Sequence, residues 1–225
     1  SGRYDKEKDQ RFTEQWGRII MHLPYAYQAK RMFPDVFRHD REDTEMWSEV
    51  AEQLGPAPEP HNSDDPVIIE IWEKAMDGYR RAISKTPQYM DFHASRIEKG
   101  QRASSLIGNQ YTGSIFLALM STFESDLEEN TNLDNELFGL CGYGSGAKAK
   151  VFEGKVSPRW REVVSRWNLF ERLAGRVAID HITYENLHKG LQNGSVVAPE
   201  GEFALIEIGE SGVQEGARRY KWIDA

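Results

Sequence analysis

Gly108-Asn109-Gln110-Tyr111-Thr112-Gly113-Ser114-Ile115-Phe116-Leu117-Ala118-Leu119-Met120-Ser121-Thr122-Phe123 is a glycine-flanked polar loop that runs into a segment apolar on nearly every face. A helix without a polar face belongs in the middle of a protein. The spacing predicts a buried central helix beginning near Thr112, with Thr112 or Asn109 as its cap. Orphan N–H groups at such a helix start favour developing negative charge, and the Asn109 amide can donate to a carbonyl oxygen. The simpler reading is an N-cap loop that packs two elements together.

Downstream, residues 136–143 and 147–156 read as two strands around the tip Gly144-Ser145-Gly146, a hairpin. The single Cys of the chain, Cys141, falls on the first of these strands. Tyr143-Gly144-Ser145-Gly146 lacks the Gly-x-Ser-x-Gly spacing and the strand-to-helix setting of a hydrolase nucleophile elbow. Ser145 is therefore a hydrogen-bonding residue on a glycine loop or simply a hairpin tip, and no Ser-His-Asp triad is indicated. Helical patterns follow at Trp160, Val163, Val164, Trp167, Phe170, Leu173 and at Ile182, Tyr184, Leu187, Leu191, before closing antiparallel strands at 203–208 and 220–223.

Upstream, Arg18 to Pro24 reads as a short buried strand that Pro24 ends, placing His22 at its terminus. An imidazole there can serve as a base or hydrogen-bonding group near neutral pH, although a partly buried, satisfied histidine is the blander reading. Residues 25–38 fit a helix broken or kinked by Pro34. Residues 40–66, acidic and then Pro-rich, read as a surface insertion or loop. Ser63-Asp64-Asp65-Pro66 starts a further helix, and residues 87–99 form another amphipathic stretch.

The chain has 225 residues, 28 basic and 36 acidic, for a formal charge of −8. No domain-wide basic field exists to attract nucleic acid or an anionic membrane. A lone Cys builds no internal disulfide framework, and His93, His181 and His188 show no ligand spacing, so no metal is expected. Nowhere do roughly 18 consecutive apolar residues occur. One cytoplasmic domain over residues 1–225 is the expectation.

Taken in order, His22-Leu23-Pro24-Tyr25, Gly108 to Ser114 and Tyr143 to Gly146 resemble the His-x-Pro-Phe/Tyr, Gly-Asn-x-Tyr-Thr-Gly/Ser-Ser and Tyr-Gly-Ser-Gly motifs of the C-terminal half of 3-hydroxy-3-methylglutaryl-CoA (HMG-CoA) synthases, thiolase-fold condensing enzymes. The resemblance covers about residues 16 to 190. It implies an α/β fold, a thiolase-like half with a mixed five-stranded sheet, the buried central helix and flanking helices. It also implies catalysis by His22, substrate binding by Asn109, Ser145 and Tyr111, and acyl transfer from acetyl-CoA to acetoacetyl-CoA without metal or other cofactor, the coenzyme A thioesters being substrates. The family's nucleophilic Cys and acid/base Glu lie in an N-terminal half without counterpart here, so that half is an expected partner, within a homodimer of complete units. Where family members carry a CoA-binding Lys five residues after the His, this chain has Tyr27; Lys30 and Arg31, one helical turn on, are the candidate CoA contacts. The same departure leaves room for a β-branching synthase acting on acyl-carrier-protein thioesters, and the absent nucleophile for a non-catalytic thiolase-fold scaffold.

Overall fold

The computed structural model describes residues 11–144 and 148–224. A short helix α1 (Phe12–Gln15) leads into strand β1 (Trp16–Met21), followed by helices α2 (Gln28–Arg41), α3 (Glu45–Leu54), α4 (Pro66–Ile83), α5 (Pro87–Arg96), α6 (Glu98–Ile107) and α7 (Ser114–Glu128). Strands β2 (Leu137–Gly144) and β3 (Lys148–Lys155) and helices α8 (Trp160–Val164) and α9 (Leu169–Ala174) come next. Helix α10 (His181–His188) and strands β4 (Glu202–Ile208) and β5 (Arg218–Ile223) close the chain.

The chain divides into two compact units, residues 1–174 and 175–225, where one domain was expected. In the first, β1 pairs in parallel with β2, and β2 pairs antiparallel with β3. The sheet is mixed, as expected, but among the described residues it has three strands rather than five. The closing strands β4 and β5 pair with each other in a separate two-stranded sheet of the second unit.

Burial explains the elements. Ile19 and Ile20 of β1 are fully buried on opposite faces of the strand, so β1 is covered on both sides. Phe33 and Phe37 of α2 meet Phe92 of α5 at ring-centroid distances of 5.5 and 5.1 Å, and Phe37 meets Tyr89 at 5.3 Å. Pro34 neither ends nor interrupts α2, which runs on to Arg41. The segment 40–66 is only partly a loop: its α3 places Trp47 and Val50 in the core. Thr44 caps α3 by accepting from the Trp47 N–H at 3.1 Å.

Helix α7 is buried differently from its composition. Its most buried side is small and polar, with Ala118, Ser121 and Thr122 against Gly100 and Ala103 of α6; the Ser121 hydroxyl accepts from the Ala103 N–H at 3.1 Å and donates to the Lys99 carbonyl at 2.6 Å. Its large residues turn the other way. Phe123 stacks on Phe138 at 5.2 Å and meets Trp160 and Trp167, which accounts for the Trp-rich segment after residue 160. Phe116 remains 61% exposed.

Gly139 shows how tightly the sheet is built. The Trp16 indole lies across it, and the Trp16 Nε1 donates to Glu153 Oε1 on β3 at 2.8 Å; a Cβ on Gly139 would come within 2.1 Å of the indole carbons. Gly139→Ala is expected to cost about 1–3 kcal/mol, as overpacking does, read as a lower midpoint in urea unfolding. An unchanged midpoint would show that the indole can move aside freely.

Candidate active site

His22 follows β1 directly. Its backbone N–H donates to the Cys141 carbonyl at 3.0 Å, which extends the β1–β2 pairing by one residue, and Leu23 behind it is buried. The imidazole stands edge-on to the Tyr143 ring, with centroids 5.0 Å apart at an interplanar angle of 90°. The Tyr143 phenol is in turn reached by the Gln28 side chain from the first turn of α2; burial, then Tyr25, push its pKa up, and the Gln28 bond opposes them. Parallel pairing of β1 with β2 is what carries His22 to the Tyr143 end of β2.

The loop before α7 is fixed from within. Gly108 ends α6 at φ +88°, a left-handed conformation natural to glycine, with its N–H on the Ser104 carbonyl. Asn109 Oδ1 accepts from the Tyr111 N–H at 2.7 Å and the Ser114 hydroxyl at 3.2 Å, and Ser114 Oγ accepts from the Gln110 N–H at 2.9 Å. Helix α7 therefore begins at Ser114, after a 3-10 turn at Tyr111–Gly113, and neither Thr112 nor Asn109 caps it by side chain. Both Asn109 bonds use the oxygen, so among the described residues the amide nitrogen is left for another acceptor. Tyr111 is held at φ 49°, uncommon for a residue with a side chain, and is 77% exposed.

These pieces meet in one cleft of about 550 Å³, whose walls include His22, Tyr111, Thr112, Tyr143 and Gly144. His22, the loop before α7 and the end of β2 come from three distant parts of the chain. Asn109 braces the Tyr111 backbone of that wall, while Ser145 lies outside the described residues. Lys30 and Arg31 do not line this cleft. Lys30 borders a separate one of about 890 Å³, and Arg31 a third of about 150 Å³ beside Arg80, while reaching the Tyr25 hydroxyl at 3.3 Å. Successive helix positions point in different directions, so two adjacent basic residues need not serve one phosphate. The basic residues that do line the His22 cleft are Lys148 and Lys150 of β3. Their signal in the sequence was the period-2 run Lys148, Lys150, Phe152, which puts all three on one strand face.

Cys141 is in the middle strand of the sheet, between Met21 and Val151, and burial pushes its thiol pKa up to about 11. A thiol in that setting is protonated at neutral pH and is a poor nucleophile. Cys141→Ser is expected to leave any activity of the protein intact, and iodoacetamide at pH 7.5 to label Cys141 far more slowly in the folded than in the unfolded protein. Fast labelling of the folded protein would contradict this.

A histidine at a strand end, a glycine-bounded loop opening a helix and a strand ending in Tyr143-Gly144, gathered on a mixed sheet, are parts of a thiolase-like fold. The chain belongs to the hydroxymethylglutaryl-CoA synthase family, whose C-terminal model, "Hydroxymethylglutaryl-coenzyme A synthase C terminal", matches residues 3–195. A hydroxymethylglutaryl-CoA synthase of Haloferax volcanii is 26% identical over 212 residues, which are 92% of this chain and 46% of that relative. The Enterococcus faecalis enzyme is 31% identical over 91 residues, 40% of this chain and 23% of that protein. Among solved structures, MvaS in complex with 3-hydroxy-3-methylglutaryl coenzyme A superimposes with a TM-score of 0.64 at 24% identity, covering 96% of this chain and 43% of that one. The HMG synthase of the curacin biosynthetic pathway in complex with holo donor-ACP gives 0.59 at 17%, covering 95% and 44%. The chain thus spans under half the length of these relatives.

Proposed function

We propose that the chain is the C-terminal half of an HMG-CoA synthase-like condensing enzyme, supplying the acceptor side of a site whose nucleophilic Cys and acid/base Glu lie outside residues 1–225. The observation that carries this reading is the His22 cleft: it joins all three family motifs as far as they are described, while the only thiol of the chain is half-buried in the middle strand of the sheet, its pKa pushed up. An acetyl group held on the remote Cys loses a proton, and the resulting carbon nucleophile attacks the ketone of acetoacetyl-CoA. His22 orients that acceptor and handles the proton at its oxygen, the Asn109 amide donates to a thioester oxygen, and Ser145 positions the acyl chain. Hydrolysis of the enzyme thioester then releases HMG-CoA.

Tyr27, 67% exposed where the family carries a CoA-binding lysine, supports a second reading in which the acceptor is tethered to an acyl carrier protein. Condensation assays on the native protein with acetoacetyl-CoA and with its carrier-protein counterpart separate the two. Turnover of the CoA thioester with a kcat/KM at least equal to that of the carrier thioester supports the first; the reverse order supports the second. Turnover of neither leaves a scaffold.

A further inference from the structure

The His22 cleft carries a charge pattern that the condensation step does not use. Lys148 and Lys150 of β3 line it, and among the described residues no acidic side chain does, in a chain whose formal charge is −8. Register fixes their height: Lys148 pairs with Gly144 and Lys150 with Gly142, one residue on either side of Tyr143, whose ring touches His22. Both lysines therefore leave the sheet beside the His22–Tyr143 end of the cleft. The phosphates of a CoA or phosphopantetheine thioester are separated from that end by the whole pantetheine arm.

We infer that Lys148 and Lys150 form an anion subsite for the carboxylate created when the condensation product is hydrolysed, and so distinguish product from acceptor; this rests on the functional reading above. Acetoacetyl and acetyl groups are uncharged. Hydrolysis adds water across the carbonyl–sulfur bond of the enzyme thioester, returns the thiol, and leaves a free carboxylate with release of one proton. That is the one step that leaves a lasting negative charge on the released acyl group, and lysine is a side chain suited to meet it. The subsite pulls hydrolysis forward and makes the product a tighter ligand than the acceptor it came from.

Calorimetric titration of the native protein with HMG-CoA, acetoacetyl-CoA and free CoA tests this, comparing the natural sequence with a Lys148→Gln/Lys150→Gln variant and a Lys148→Arg/Lys150→Arg variant. The Gln pair is expected to weaken HMG-CoA roughly tenfold, the loss of a charge-assisted hydrogen bond, and to leave acetoacetyl-CoA and CoA unchanged; the Arg pair keeps HMG-CoA binding. Equal weakening of all three ligands means the lysines hold phosphate and overturns the inference. So does an unchanged HMG-CoA affinity, and so does dissociation of the N-terminal half from the Gln pair, which would assign the lysines to carboxylates of that half. Failure of the natural protein to bind any of the three would instead overturn the functional reading beneath.

Discussion

His22→Ala is expected to lower kcat for condensation by roughly 10²–10⁴-fold in the complete enzyme, the range for removing a positioned acid–base group, with the unfolding midpoint nearly unchanged. The stability half of this expectation follows from where the side chain sits. His22 anchors the chain through its backbone N–H on the Cys141 carbonyl, a bond alanine retains, while its ring meets Tyr143 at the wall of an open cleft. The activity half follows from what else lines that cleft among the described residues: tyrosines, a threonine, glycines, apolar side chains and two lysines, with no second imidazole to take over the role of His22. Steady-state kinetics with acetoacetyl-CoA as the varied substrate, with circular dichroism on the same samples, gives both numbers. A loss below about tenfold would reduce His22 to a binding residue.

Asp126→Ala is expected to destabilise the first unit by about 3–5 kcal/mol, the cost of leaving buried partner charges uncompensated. Asp126 is fully buried on α7 and accepts from Arg18 Nε at 2.9 Å, Arg18 Nη2 at 2.5 Å and Lys99 Nζ at 2.5 Å. Arg18 belongs to β1 and Lys99 to α6, so one carboxylate ties strand and helix to α7. Burial alone would raise the Asp126 pKa, but the hydrogen bonds and charges of Arg18 and Lys99 outweigh it and hold the group below its ordinary 3.8. Because the folded pKa is the lower one, its contribution to stability is complete above the unfolded value and is lost as pH falls through the folded one. Urea titrations between pH 7 and pH 2.5 should therefore show a steeper acid loss for the natural protein than for Asp126→Asn, which is already destabilised at pH 7. Parallel pH profiles would mean the carboxylate is not held in its charged form.

The motifs were legible because each depends on local chemistry: His22 before Pro24, glycines around Asn109, and a glycine-rich turn between two β-prone runs. The hairpin strands, the α4 start capped by Asp65 and the antiparallel pair β4–β5 followed from the same signals. What escaped was tertiary. Segment 40–66 looked like a loop because acidic residues and prolines dominate it, yet Trp47 and Val50 alone suffice to dock α3 on the core. The apolar α7 suggested burial all round, whereas the neighbours available in this chain cover its serine and threonine side and leave Phe116 open. Lys30 and Arg31, candidate CoA contacts on charge and closeness to His22 in sequence, border other clefts. Strand pairing brings Lys148 and Lys150 to the His22 cleft, because the antiparallel return of β3 sets them beside the Gly142–Gly144 segment.

Intact-mass and peptide-mass measurement of the native protein after incubation with acetyl-CoA tests the central claim most directly. The account predicts an acetyl adduct on a Cys outside residues 1–225, with the peptide bearing Cys141 unmodified. An acetyl adduct on Cys141 would place the nucleophile inside this chain and contradict the reading of it as one side of a shared active site.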